Sequence, residues 1–161
     1  MNIAIIGANG MLSMALTKYF YSKPDTVVDV YGLDAPKGYE CTNFYQANLL
    51  KDKLNYDRLV EADVIVYASG AGVQAALKTD SSLMYALNVN VPIEMTIQLK
   101  KHNYQGVYVS FGSYMEIGLN NEDGKAFDED EVICSNLPVT NDYALSKRLY
   151  GRYMKDLISD Y

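Results

Sequence analysis

The sequence predicts an α/β fold, a doubly wound parallel sheet with helices on both faces. Short β-branched runs alternate with longer segments of helical period from the first residues onward, a glycine-bearing turn joins the first run to the first helical segment, and no repeat or linker interrupts the alternation. Strands separated by helical crossovers pair in parallel, because the crossover returns each new strand to the same direction. The 161 residues suffice for one core without disulfides or metal, so a single domain over 1–161 is expected.

The elements follow in order. Ile3-Ala-Ile-Ile6 is a buried strand, and Met11–Tyr21 a helix with Leu12, Ala15, Leu16 and Tyr19 on one face. After Lys23-Pro24-Asp25, the segment Val28–Leu33 is a second strand, Asn43–Gln46 a third, and Lys51–Val60 holds a short helix. Asp63–Ala68 is the fourth strand. Apolar residues at Leu83, Leu87, Val91, Met95 and Leu99 predict one long helix over Ser82–Lys101 despite Pro92, and Gly106–Ser110 is the fifth strand. Asn121–Ser135 reads as a solvated acidic loop without EF-hand spacing, and Asp142–Asp160 as a final helix.

Composition removes several classes of function. The net charge of −6 lacks the basic footprint of nucleic-acid binding, and no apolar run approaches the roughly 20 residues that span a bilayer. Met1-Asn-Ile-Ala-Ile-Ile has no basic n-region and enters a strand at once, so a cytoplasmic protein is expected. Cys41 and Cys134 lie far apart outside any CxxC, and His102 is the single histidine, near a helix end, which leaves no spacing for a metal site or a His-dependent nucleophile.

Two motifs carry chemistry. Gly7-Ala-Asn-Gly-Met-Leu-Ser13 lies between the first strand and the first helix, where backbone N–H groups meet a pyrophosphate at a helix N-terminus. Gly7 permits the turn and Gly10 the close approach. Asp34, directly after the second strand, can accept from both adenosine ribose hydroxyls and repels a 2′-phosphate. The expectation is a Rossmann-type domain with NAD rather than NADP. Farther on, Tyr143-Ala-Leu-Ser-Lys147 sets a phenol and an ammonium on one helix face. The ammonium stabilises the phenolate and brings an otherwise weak acid toward working range. A second copy, Tyr19-Phe-Tyr-Ser-Lys23, ends the first helix and reads as packing. Chain order distinguishes Tyr143, which follows the phosphate loop, Asp34 and the serine-bearing segment Ser110-Phe-Gly-Ser113.

Taken together, these segments resemble the extended short-chain dehydrogenase/reductases, the NAD-dependent epimerase/dehydratase family. Gly7-Ala-Asn-Gly10 is similar to its Gly-x-x-Gly loop, Asp63–Gly70 to its fourth strand and turn, Asn88-Val89 to the Asn-Val of its central helix, and Pro138 through Lys147 to its Pro…Tyr-x-x-Ser-Lys segment. The resemblance implies Tyr143 as general acid/base, Lys147 as the group that holds the nicotinamide ribose and lowers the Tyr pKa, and a serine that orients the same substrate oxygen. Counting from Ser110 puts Gly112 at the serine position, and counting back from Gly118 puts Ser113 there; Ser113 is chosen. It implies cofactor contacts from Gly7, Asn9, Gly10, Met11 and Leu12, from Asp34, from Asn48-Leu49 where the family has an adenine-contacting Asp, from Ala68-Ser69-Gly70, and from Asn88.

Departures from the pattern refine the expectation. Ser13 replaces a third small glycine and tolerates slightly looser helix–strand packing. Phe111-Gly-Ser-Tyr-Met115 lacks the Asp-Glu pair of the 4,6-dehydratases, so an epimerase or ketoreductase acting on a nucleotide-activated sugar is expected. The alternatives are a non-catalytic NAD-binding regulatory protein and a reductase of a smaller carbonyl compound. A homodimer through the helices at 82–101 and 142–160 is implied by resemblance. The family pattern continues beyond the Tyr-Lys helix into a substrate-binding part, so the chain is expected to be the cofactor portion of a longer protein.

Overall fold

The computed structural model describes residues 1–72, 78–120 and 124–157. It divides into two compact units, Met1–Gly70 with Glu94–Phe111 and Ala71–Ile93 with Gly112–Tyr161.

The first unit holds an all-parallel sheet of five strands: β1 (Asn2–Ile6), β2 (Val27–Gly32), β3 (Asn43–Gln46), β4 (Val64–Tyr67) and β5 (Val107–Ser110), ordered β3-β2-β1-β4-β5. The expected α/β, Rossmann-type class is therefore found. Ile6 pairs with Tyr31 on one side and Tyr67 on the other, so the last residues of three neighbouring strands stand in line. Ile3 through Ile6 are all buried, which is why β1 reads as an unbroken apolar run: a central parallel strand is covered on both faces. Ile3, Ile5, Val28, Val30 and Val66 form one core cluster, with Leu16 and Phe20 of α1 (Met11–Tyr21) packed against it.

Helix α1 has the predicted bounds but not the predicted face. Leu12 and Tyr19 are exposed, at 41% and 57%, whereas Ser13 and Thr17 are fully buried. Small side chains let the helix backbone approach the sheet closely, and this outweighs the apolar count on the other side. Ser13, at 0% exposure, is fully buried on the face turned to the sheet. Lys23 lies over the Tyr19 ring at 4.3 Å, so the second Tyr…Lys pair is a packing contact, as expected. The helix expected over 51–60 contracts to α2 (Tyr56–Leu59), because Asn48 and Asp52 close a turn ahead of it and Asn55 caps it. His102, just past the last helical turn, donates through Nδ1 to the Gln98 carbonyl and faces the exposed Asp57.

Residues 81–101 are helical throughout but not one regular helix: α3 (Ser81–Tyr85), a π-turn (Ala86–Asn90) and α4 (Val91–Lys101) succeed one another. Pro92 has no N–H for the carbonyl four residues back, so the chain widens to a π-turn just before it. In the second unit, the 3₁₀ turn Tyr114–Ile117 precedes α5 (Glu129–Ile133) and α6 (Asp142–Leu157). Helix α5 corrects the reading of 121–135 as loop over Glu129–Ile133, while 121–123 lie outside the described residues. Asp128 and Glu131 form a capping box whose carboxylates satisfy the helix's own free N–H groups. Residues 158–160 of the expected final helix lie outside the described residues. No described helix is long and apolar enough to cross a membrane.

One position holds the sheet's carboxyl edge together. Gly7 has φ +110°, and a Cβ there would stand 2.8 Å from the Ser69 amide nitrogen and 2.9 Å from its Cα. Gly7→Ala is expected to lose at least about 2 kcal/mol of stability through backbone strain and the clash, read by urea unfolding. A wild-type midpoint would contradict this.

Candidate functional site

In the first unit, the loops after β3, β2, β1 and β4 leave the same edge of the sheet side by side, because the strands are parallel and neighbours in that order. They carry Asn48, Asp34, the Gly7–Gly10 turn and Ala68-Ser69-Gly70. The strand order reverses between β1 and β4, the crevice in which ligands of open α/β sheets bind. At that point Gly7 touches Ser69. The N–H groups of Gly7 and Ala8 both donate to the Tyr31 carbonyl, at 2.8 and 3.1 Å, and Ala68 N–H donates to the Ile6 carbonyl at 2.9 Å, so the turn is tied to both flanking strands.

Asn9 sits in the left-handed region at φ 62°. Its Nδ2 donates to the carbonyls of Asp34 (3.2 Å) and Ala35 (2.9 Å), and its Oδ1 accepts from Lys37 N–H at 2.8 Å. The amide is thus engaged in holding the loop after β2 against the glycine turn, and it sets where Asp34 stands. Asp34 itself is exposed.

Gly10 is the N-cap of α1 and brings no side-chain cap; the first turn holds no acidic residue. Side chains cap α2, α3, the 3₁₀ turn and α5, from Asn55, Asp80, Ser113 and Asp128. The N–H groups at the start of α1 are accordingly left to a ligand or to solvent. A Cβ at Gly10 would meet only Ser13 Oγ at 3.4 Å and the Ala68 carbonyl at 3.8 Å, so the protein's own packing does not require glycine there. Met11 and Leu12 are exposed beside it. Asn48 uses its Oδ1 on Leu50 N–H (3.0 Å) in a local turn, and Leu49 is half-buried.

In the second unit, α6 carries the Tyr-Lys pair. Asn141 caps its start, accepting from Ala144 N–H at 2.9 Å. Asp142 is clasped by the Ser81 and Tyr85 hydroxyls of α3, which hold its carboxyl below the usual range. Tyr143 and Lys147, one turn apart, are both partly buried. Burial pushes the Lys147 ammonium below its ordinary range, opposed by the negative charge of Glu116.

Asn88, in the middle of the π-turn and 1% exposed, is a pin. Its Nδ2 donates to the Ala71 carbonyl (2.9 Å) and to Ser146 Oγ (3.0 Å), its Oδ1 accepts from Ala71 N–H (3.0 Å), and Ser146 Oγ donates to the Tyr143 carbonyl (2.8 Å). Ser113 caps the 3₁₀ turn: its Oγ accepts from Met115 N–H at 3.3 Å, and its own N–H donates to Glu116 Oε1 at 2.6 Å. Neither of these bonds uses the Ser113 hydroxyl proton.

Sequence reasoning missed Ser146, Glu116 and Arg148. Ser146 stands inside the Tyr-x-x-Ser-Lys motif, which could have flagged it. Arg148 donates to the carbonyls of Glu116 (2.6 Å) and Leu137 (2.7 Å), contacts no local sequence pattern announces. Among the described residues, no group of His, Cys, Asp and Glu side chains could hold a metal ion.

The comparisons agree on the fold. The UDP-glucose 4-epimerase of Brucella ovis, solved with NAD, superposes with a TM-score of 0.74 at 17% identity, covering 99% of this chain and 48% of that one. The UDP-glucuronic acid 4-epimerase of Bacillus cereus, also with NAD, gives 0.69 at 15% identity, covering 98% and 54%. The Bordetella bronchiseptica enzyme WbmG, in complex with NAD and UDP, gives 0.66 at 15% identity, covering 96% and 49%. The chain thus spans about half the length of these structures, and at such identities the likeness is one of fold. No curated protein matches. The model of the NAD dependent epimerase/dehydratase family matches residues 3–161, nearly the whole sequence, and the chain belongs to that family.

Proposed function

We propose that the chain is the NAD-binding domain, with its acid/base helix, of an enzyme that acts on a nucleotide-activated sugar by hydride transfer, as an epimerase or ketoreductase. The observation that carries the proposal is the start of α1. Gly7 is glycine because Ser69 leaves no room, whereas Gly10 has room for a Cβ and heads a helix that no side chain caps. An uncapped helix N-terminus with an open approach fits a pyrophosphate, and the exposed Asp34 carboxylate, placed by Asn9, fits the two ribose hydroxyls. These residues fit NAD. Asn48 Nδ2 is free to meet the adenine ring. Met11, Leu12 and the Ala68–Gly70 turn line the same edge.

When bound, NAD supplies the acceptor and donor of the hydride. The chain's own residues handle the proton. As a substrate C–OH becomes C=O, Tyr143 accepts the hydroxyl proton, and it returns that proton when the carbonyl is reduced. Lys147 stabilises the phenolate by charge and holds the nicotinamide ribose, while Ser113 donates to the same substrate oxygen. Asn88 acts indirectly, by fixing the backbone of Tyr143 through Ser146. The Asp-Glu pair that eliminates water is absent from 111–115, which favours epimerase or ketoreductase over 4,6-dehydratase. A homodimer in the cytoplasm belongs to the same reading, on family resemblance alone.

NAD is expected to raise the melting temperature of the chain more than NADP at equal concentration, and Asp34→Ala to remove the difference; equal protection of the parent by both cofactors contradicts the ribose assignment. In a version extended to the full length of its relatives, Tyr143→Phe is expected to lower turnover at least about 100-fold with NAD affinity nearly unchanged. Turnover at the parent rate would end the acid/base assignment.

A further inference from the structure

Among the described residues, Glu116 is the most buried of the acidic and basic side chains, at 3% exposure. No step described so far uses it. A carboxylate is costly to bury unless it is hydrogen-bonded and faces opposite charge, and its surroundings provide both. The Ser113 N–H donates to Oε1 at 2.6 Å. Two glycines make room: a Cβ on Gly112 would stand 2.9 Å from Oε1, and one on Gly151 would stand 3.1 Å from Oε2. Glycine in the middle of a helix normally weakens it, so Gly151 is a concession to this carboxylate. Gly151 lies one turn beyond Lys147, as Lys147 lies one turn beyond Tyr143, so the carboxylate faces the α6 stripe that carries the pair. The positive charges of Lys147 and Arg148 favour the ionised Glu116, against burial, which pushes its carboxyl up.

We propose that Glu116 is a positioning residue for the Tyr143–Lys147 pair: one buried carboxylate anchors the Ser113 amide and supplies the counter-charge that holds the Lys147 ammonium on α6. The inference rests on the reading of Tyr143 and Lys147 given above. Burial alone drives Lys147 toward the neutral amine, which has no charge to offer a phenolate; Glu116 opposes that loss. The same carboxylate fixes the loop whose hydroxyl meets the substrate oxygen, so proton transfer and substrate orientation share one support.

The other ionisable groups on elements packed against α6 are engaged elsewhere or, like Tyr114, exposed. Asp142 is held by Ser81 and by Tyr85 of α3, and the π-turn brings only the uncharged Asn88. On α5, Asp130 pairs with Lys155, Glu131 with Lys125, and Glu129 is exposed. On α6 itself, Tyr143 and Arg148 flank Lys147, and the Arg148 guanidinium is bound to main-chain carbonyls.

The test titrates Lys147 directly. Reductive ¹³C-methylation of the lysine amines gives an NMR signal for each, and the signal lost in Lys147→Arg identifies this one. Glu116→Gln keeps an oxygen for the Ser113 N–H and removes only the charge. The Lys147 midpoint is expected to fall by about one pH unit, with the fold intact by circular dichroism. An unchanged midpoint in the folded variant overturns the proposal. Should Glu116→Gln not fold, Glu116→Asp withdraws the charge by one methylene and is expected to move the midpoint the same way by less; no movement overturns the proposal equally. Turnover does not enter this readout. Failure here leaves the Tyr143 assignment standing, and failure of that assignment leaves the Lys147 midpoint where it is.

Discussion

The contact of Gly7 with Ser69 is the constraint from which the cofactor edge of the sheet follows. The turn after β1 can pass the loop after β4 only without a side chain and only at φ +110°. In that conformation its first two N–H groups reach the Tyr31 carbonyl of β2, and Gly32 in turn lacks a Cβ because Ala8 occupies the space, with Cβ 2.6 Å from where it would stand. Three strand ends are thereby locked together by residues with almost no side chain. Helix α1 starts immediately afterwards, with Gly10 as its N-cap and no side chain bonded there as a cap. The proposed anion site is thus a by-product of how tightly β1 must turn.

The second unit solves a different problem, that of burying polar side chains around α6. Pro92 costs the helix a hydrogen bond and the π-turn before it carries Asn88, which closes a chain of bonds from Ala71 through Ser146 to the Tyr143 carbonyl. Every polar atom in that chain has a partner, and a buried network satisfied in this way is rigid. In the same unit the Glu116 carboxylate anchors the Ser113 amide. What remains uncommitted are the Tyr143 phenol and the Ser113 hydroxyl proton, the groups to which the proposed reaction assigns the proton chemistry.

The strands, the bounds of α1 and the Tyr143–Lys147 spacing were legible because each depends on local pattern: apolar runs, a glycine before a helix, a separation of four. The buried face of α1 was not, since Ser13 and Thr17 are chosen by how close the helix must come to the sheet, which periodicity does not encode. Helix α5 was legible in principle, through Asp128 and Glu131 three residues apart, but the acidic composition around them reads equally well as solvated loop. The sequence reads Asn9 and Asn88 as cofactor contacts; the partners their amides take within the fold lie 25 and 17 residues or more away, and only folding supplies them. Glu116 between Met115 and Ile117 carries no local sign of burial; its reason is the space left by Gly112 and Gly151.

The central claim is that the start of α1 is a pyrophosphate site and that Gly10 is glycine for the ligand, not for the fold. Isothermal titration of the parent chain and Gly10→Ala with NAD, alongside their melting temperatures, tests it most directly. The account predicts that the parent binds, that Gly10→Ala melts within about 2 °C of it, and that its affinity is at least about tenfold weaker, the equivalent of about 1.4 kcal/mol. Undiminished NAD affinity in a folded Gly10→Ala, or a parent that does not bind NAD, would contradict it.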